Sequence, residues 1–283
     1  MSKTRWKAFP HPDKQYEYAG ARLRTYWPQL HRGDREPFPV PGELKRLVEQ
    51  NPDWAPSMAL ERAAHGLEDA WRAYHRGDFG GAIELGLAIG PLGYSVANKA
   101  SNIYATYLET RAEAKLALFL ESAKRAESIF TRANFAVNAW YLHAQALGRY
   151  SQGISVAKAL AQGLGGKVKS SLEQALHLDP QHADAHVAMG TFHAEVVNKI
   201  GATLGGLSYG ASSAEAVKHF ETALALNPHS AIARIEYANA LAMLFGQAKL
   251  PRARSLYAEA AASHPGDAME RLDAELARSE LED

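Results

Sequence analysis

The residues best suited to chemistry in this chain are its histidines, of which there are 12 in 283 residues. His182 and His186 stand four apart, His193 follows seven later, and Glu195 comes just after. On a helix His186 and His193 share a face, so the group invites a zinc reading. Zinc enzymes of the His-Glu-x-x-His type need a glutamate directly after the first histidine, and Ala183 stands there instead. The same histidines fall on positions that pack between helices. Structural histidines with polar partners are therefore expected, with no metal ligand set and no cofactor. The chain has no cysteine, so disulfides, thiolate metal sites and cysteine nucleophiles are all excluded.

Three further patterns fail as catalytic motifs. Gly163-Leu-Gly-Gly-Lys167 has the glycines of a phosphate loop. Ala161 and Val168 stand where the full pattern needs a glycine and a serine or threonine, and no strand is predicted ahead of it. A crossing between helices is expected there. No serine sits in a Gly-x-Ser-x-Gly elbow. Glu109, Glu113 and Glu121 are read onto one helix beside Arg111, Lys115, Lys124 and Arg125, as a solvated, salt-bridged face. No convergent catalytic constellation is left, and a non-enzymatic protein is expected.

The elements that carry these residues repeat. Ala175-Leu-His-Leu-Asp-Pro180, Ala223-Leu-Ala-Leu-Asn-Pro228 and Ala260-Ala-Ala-Ser-His-Pro265 each place a proline five residues after an alanine. Upstream, Ala216, Phe220 and Ala223 match Ala253, Tyr257 and Ala260. The spacing sets two small residues and an aromatic on one helical face, so a neighbouring helix can approach closely. Proline then ends the helix, because it lacks a donor and restricts the residue before it. Ahead of each such helix lies a second amphipathic stretch, in which Gly190 and Ala238 occupy one slot, ten residues after Pro180 and Pro228.

On these residues the chain resembles the tetratricopeptide (TPR) family, whose unit is about 34 residues. The resemblance implies an all-α fold, a right-handed superhelical solenoid of TPR-like helical hairpins. Two units are too long. From Pro180 to Pro228 is 48 residues, and the excess includes Ile200 to Gly210, with four glycines and no charge. A similar excess runs from Ser151 to Gly166. Long inter-helix insertions are expected at both places. Leu147-Gly-Arg-Tyr-Ser-Gln152, Gly166 to Leu176, Pro180 and Gly190-Thr-Phe-His-Ala-Glu195 carry a narrower resemblance. They are similar to the regulator of microtubule dynamics proteins and their bacterial relatives, over roughly residues 135–265. In animals that name implies microtubule association. The matching positions here are mostly those of the repeat core, so the resemblance implies the fold first. The chain also resembles the helical-repeat accessory subunit of some solute transport systems, whose members are usually exported.

Residues 1–56 differ in composition from 57–283. They hold eight of the 13 prolines, together with Trp6, Phe9, Tyr16, Tyr18, Tyr26, Trp27, Phe38 and Trp54. Disordered tails are seldom so aromatic. An ordered strap packed on the repeat domain is expected, with one helix over Tyr16 to Leu30 and an extended Pro37–Pro41 run. From Ala59 onward hairpins resume, residues 93–133 read as two helices, and Asp267 to Leu281 as a terminal capping helix. Lysine plus arginine equals aspartate plus glutamate at 31 each, so no nucleic-acid partner is expected. The N-terminus has charge but no apolar run behind it. Neither a signal peptide nor a membrane span is expected, and a cytoplasmic location follows.

The TPR resemblance implies a working surface on the inner face of the first helix in each hairpin. Carried onto this sequence, its positions are Asn138, Tyr141, Gln145 and Arg149. Asp184, Val187, Thr191 and Ala194 follow, then Ile232, Ile235, Asn239 and Ala242. Asn239 lacks the neighbouring cations needed to grip an acidic peptide end. A mixed, mainly apolar groove for a protein or peptide partner is expected. The alternative is a carrier holding a small apolar ligand in a cavity closed by the glycine-rich inserts.

Overall fold

The computed structural model describes residues 6–282, so the first five residues of the predicted strap lie outside the described residues. Helices make up nearly all the regular structure, and no strand occurs among the described residues. The chain divides into two compact units.

The first unit runs to Leu30, resumes over Glu36–Ala146, and takes in Gly266–Met269. It contains α1 (Arg22–Leu30), α2 (Pro41–Gln50), α3 (Leu60–His75), α4 (Phe79–Ile89), α5 (Tyr94–Tyr107), α6 (Ala112–Phe130) and the start of α7 (Val137–Gln152). Helices α3 to α6 pack as consecutive neighbours, each hairpin against the next. Asp78 caps α4 by accepting from the Gly81 N–H at 3.0 Å.

The N-terminal segment is ordered against this stack. Tyr16, Leu23, Trp27 and Trp54 are all buried. The Trp27 ring meets Trp71 of α3 edge-on at 5.6 Å and Phe38 at 4.9 Å, while its indole N–H donates to the Glu36 carbonyl at 2.7 Å. Trp6 lies where a side chain on Gly80 would stand, which fits the glycine to that close approach. Tyr16 to Leu30 is not one helix. A 3-10 turn over Lys14–Glu17 ends at Tyr18, which takes a left-handed conformation (φ 44°) before α1 begins. The break lets the Tyr18 ring meet His75 and its hydroxyl donate to the Gly266 carbonyl at 2.6 Å. His75 in turn contacts Asp267 at 2.8 Å, with both side chains buried. Residues 36–40 carry no regular structure, and Pro41 opens α2.

Glu109 is not on a helix either. It precedes α6, where its carboxylate accepts from the Arg111 backbone N–H and from the Arg111 guanidinium. A short loop leaves α6 its first N–H groups to satisfy, and an acid just ahead of it is favourable there.

The second unit takes His31–Arg35, Leu147–Pro265 and the chain from Glu270. After the end of α7 come α8 (Val156–Ala161), α9 (Leu164–Leu178), α10 (Ala183–Ile200), α11 (Ala202–Tyr209), α12 (Ser213–Leu226), α13 (Ala231–Phe245), α14 (Leu250–Ala261) and α15 (Ala268–Glu282). Ser212 and Ser230 cap α12 and α13 through their hydroxyls. Ser212 and Glu215 are spaced as a capping box. Neighbouring pairs are α9 with α10, α10 with α12 and α13, and α13 with α14. Ala216, Phe220, Ala223, Ala253 and Leu256 form one buried cluster with Tyr237 and Ala238. Ala175 and Ala260 are also fully buried. Tyr257 is only half-buried, and its hydroxyl donates to Asn239. A side chain on Gly190 would meet the Phe220 ring at 2.9 Å, so the small slot serves the crossing of α10 and α12. The two insertions are not plain crossings: each folds a short helix, α8 and α11.

Candidate functional site

The predicted surface residues divide between the units. In the first, Asn138 donates to the Glu36 carboxylate at 2.6 Å, and Ser95 donates to the same oxygen at 2.7 Å. Gln145 accepts from the buried Asn102 at 2.8 Å and donates to the Tyr141 hydroxyl at 3.1 Å. On α5, Asn98 holds Arg125 at 2.7 Å. Burial lowers the pKa of that guanidinium, although it stays charged at any ordinary pH. Asn98 and Asn102 went unassigned in the sequence. The signal was the polar run Asn98-Lys-Ala-Ser-Asn102 inside an otherwise apolar helix, all of it buried.

In the second unit, Arg149 pairs with Glu236 at 2.6 Å, and the Thr191 hydroxyl donates to the other oxygen at 3.4 Å. Glu236 is 12% exposed at its side chain, and sequence reasoning missed it. It is the one acid between Ala231 and Ala258, which marks it in retrospect. Asn239 accepts from Tyr257. Burial, then the charges of Glu280 and Glu236, push the Tyr257 hydroxyl up to about 12, so it remains a donor. Val187 and Ile235 are buried in the two apolar clusters of the unit. The Asp184 backbone N–H, in the first turn of α10, donates to the Gly33 carbonyl at 3.0 Å, and its carboxylate lies where a side chain on Gly33 would stand. Arg35 pairs with Asp179 at 2.7 Å and donates to Gln181 at 2.9 Å. The segment His31–Arg35 therefore covers the start of α10.

The histidines work as hydrogen-bonding groups. His182 caps α10, its Nδ1 accepting from the Ala185 N–H at 3.0 Å. His186 Nε2 lies 3.0 Å from the Pro180 carbonyl, and its Nδ1 lies 2.8 Å from Nδ1 of His219. A neutral His186 that donates through Nε2 must accept through Nδ1, so His219 Nδ1 carries the proton between them. His193 stacks on His219 at 5.7 Å and accepts from the Ser212 N–H. Among the described residues, no three His, Asp or Glu side chains gather so as to hold a metal ion.

Burial, then the neighbouring His186 and His193, push His219 down from 6.5 to about 4, and burial also lowers His186 and His193. Between these two values the unfolded chain binds protons that the folded chain refuses. Stability is therefore full above about pH 6.5 and falls as pH drops towards 4. His219→Asn keeps a donor and cannot titrate. Thermal melts between pH 7 and pH 5 are expected to fall less steeply for this variant, by about 2–4 °C. Equal slopes would show that the cluster does not set the acid response.

The predicted inserts face outward. Leu204 of α11 is 59% exposed and Leu207 is 82% exposed. An insert closing a cavity over a small apolar ligand would turn these side chains inward. Gly163 opens α9 as its cap residue, and Lys167 is exposed.

Comparison with known proteins adds the family. No curated protein matches the chain. Among solved structures, the crystal structure of TTC0263, a thermophilic TPR protein in Thermus thermophilus, is similar with a TM-score of 0.54 and 18% sequence identity. The match covers 77% of this chain and 99% of that one, and it shows the fold, a set of TPR-like helical hairpins. The family described as regulator of microtubule dynamics protein 1-3 matches residues 94–272, which run from α5 into α15 and include both inserts. With well over half of its length matched, the chain belongs to the regulator of microtubule dynamics protein 1-3 family.

Proposed function

We propose that the chain is a non-enzymatic, cytoplasmic scaffold that binds a protein or peptide partner on the first-helix faces of its hairpins. The observation that carries this reading is the ordered polar group on α7, α10 and α13, in which Glu236 holds Arg149 and Thr191. Side chains already fixed by one another lose little freedom when a partner arrives, and they orient it. Asn239 with Tyr257 extends the row along α13. Val187 and Ile235 support it from beneath and make no direct contact in this reading. The N-terminal segment serves as a built-in cover, since its Gly33 and Arg35 engage the start of α10.

The test pairs capture with exchange. Protein captured from the native cell is expected to be lost about tenfold with the Arg149→Ala, Asn239→Ala double variant, at an unchanged elution volume. Hydrogen exchange on the captured complex is expected to show protection in α7, α10 and α13. Protection confined to α9, α12 and α14 would place the partner on the other helices and end the proposal.

A further inference from the structure

The junctions within the hairpins of the second unit share a composition. Residues 150–172, 196–214 and 240–258 contain seven lysines and arginines and no aspartate or glutamate. The whole chain is balanced at 31 of each sign. Lys169, Lys199 and Arg252 pair with Glu173, Glu195 and Glu259, which flank these ranges, and the other four cations lie between them. Half of the large apolar side chains exposed among the described residues also lie here, six of twelve. They are Val156 and Leu160 on α8, Leu204 and Leu207 on α11, and Met243 and Phe245 at the end of α13.

The topology puts the three junctions on one edge. Each joins the first helix of a hairpin to the second, and the neighbours α9, α10, α12, α13 and α14 pack in antiparallel succession. Antiparallel order sends every such junction to the same end, while Pro180 and Pro228 turn at the other. The first two junctions touch, since a side chain on Gly165 would meet the Tyr209 ring at 2.9 Å. Lys158, Lys167, Lys249 and Arg254 on this edge are exposed and make no ion pair among the described residues.

We propose that this edge docks on an anionic membrane surface. Side chains as exposed as Leu207 project rather than line a cleft, and they gain burial by entering the boundary between headgroups and acyl chains. Lysines beside them keep their charge at the headgroup level, where anionic lipid attracts it. A second copy of the chain meeting this edge symmetrically would set like charges together, which disfavours self-association. No helix among the described residues is long and apolar enough to cross a membrane.

Flotation of the full chain with phosphatidylcholine vesicles, with and without about 30 mol% phosphatidylglycerol, tests this. Binding is expected only with the anionic lipid, and raising salt from about 0.05 M to about 0.5 M is expected to release it. Lys158→Glu with Lys167→Glu is expected to weaken binding at least about tenfold. Leu207→Glu, at a side chain 82% exposed, is expected to weaken it similarly without altering the melting curve. The Arg149→Ala, Asn239→Ala variant is expected to bind vesicles normally, which separates this surface from the partner face. No binding to anionic vesicles, equal binding to both compositions, or binding indifferent to Leu207→Glu would each overturn the proposal. Dimerisation abolished by Leu207→Glu, without vesicle binding, would assign the edge to a second copy instead.

Discussion

Phe220→Ala is expected to destabilise the protein by about 3–5 kcal/mol. The side chain is fully buried, stacks on Tyr237 at 5.2 Å between centroids, and fills the space that Gly190 leaves open. Removing the ring strands three helices around one void, because α10, α12 and α13 all contribute to its lining. Gly190 cannot move in to fill it, since it has no side chain and its backbone is fixed by the α10 ladder. Denaturant unfolding, followed through the transition of the second unit, measures the loss. A value below about 1 kcal/mol would mean the site collapses and the packing register is not the one described. Leu207→Ala is the matched control. At 82% exposure it should cost no more than about 0.5 kcal/mol.

Deleting residues 1–56 is expected to make the protein aggregate. Tyr16, Leu23, Trp27, Leu44 and Trp54 are buried, and each such side chain stabilises by about 1.5–3 kcal/mol. Their combined loss is comparable with the whole stability of a domain, about 5–15 kcal/mol. The deletion also uncovers Trp71 and Phe79 of the first unit, which meet Trp27 and Phe9, and an aromatic surface of that kind associates. The ion pair of Arg35 with Asp179 matters far less, since Arg35 is half exposed. Size-exclusion chromatography with dye binding checks the result. A truncated chain that stays monomeric with an unchanged melting temperature would make the segment a free arm.

Legibility followed periodicity. Ala216, Phe220 and Ala223 were readable because a packed helix writes its buried face into the sequence every three or four residues. Pro180 and Pro228 were readable because proline ends helices by local chemistry alone. The course of residues 6–40 has no period to read, so the break at Tyr18 and the cover that Gly33 forms over α10 were not legible. Both depend on what lies opposite in space. His219 escaped for the same reason. It sits one helix away from His186, and only the crossing of α10 and α12 brings the two rings together. Glu236 and Asn102 were visible as odd polar residues in apolar stretches, but their partners were not.

Tyr18 donates to Gly266 across 248 residues of chain, and His75 reaches Asp267 across 192. A plain repeat array can gain each hairpin as it leaves the ribosome, because each needs only its neighbours. This first unit cannot, since residues 266–269 are made well after Ala146, where the rest of it ends. Its aromatic surfaces must therefore wait, partly uncovered, until residues 147–265 have been made. Closure then depends on loops of high contact order, which slows that step and ties the fate of the first unit's hairpins to residues made long after them.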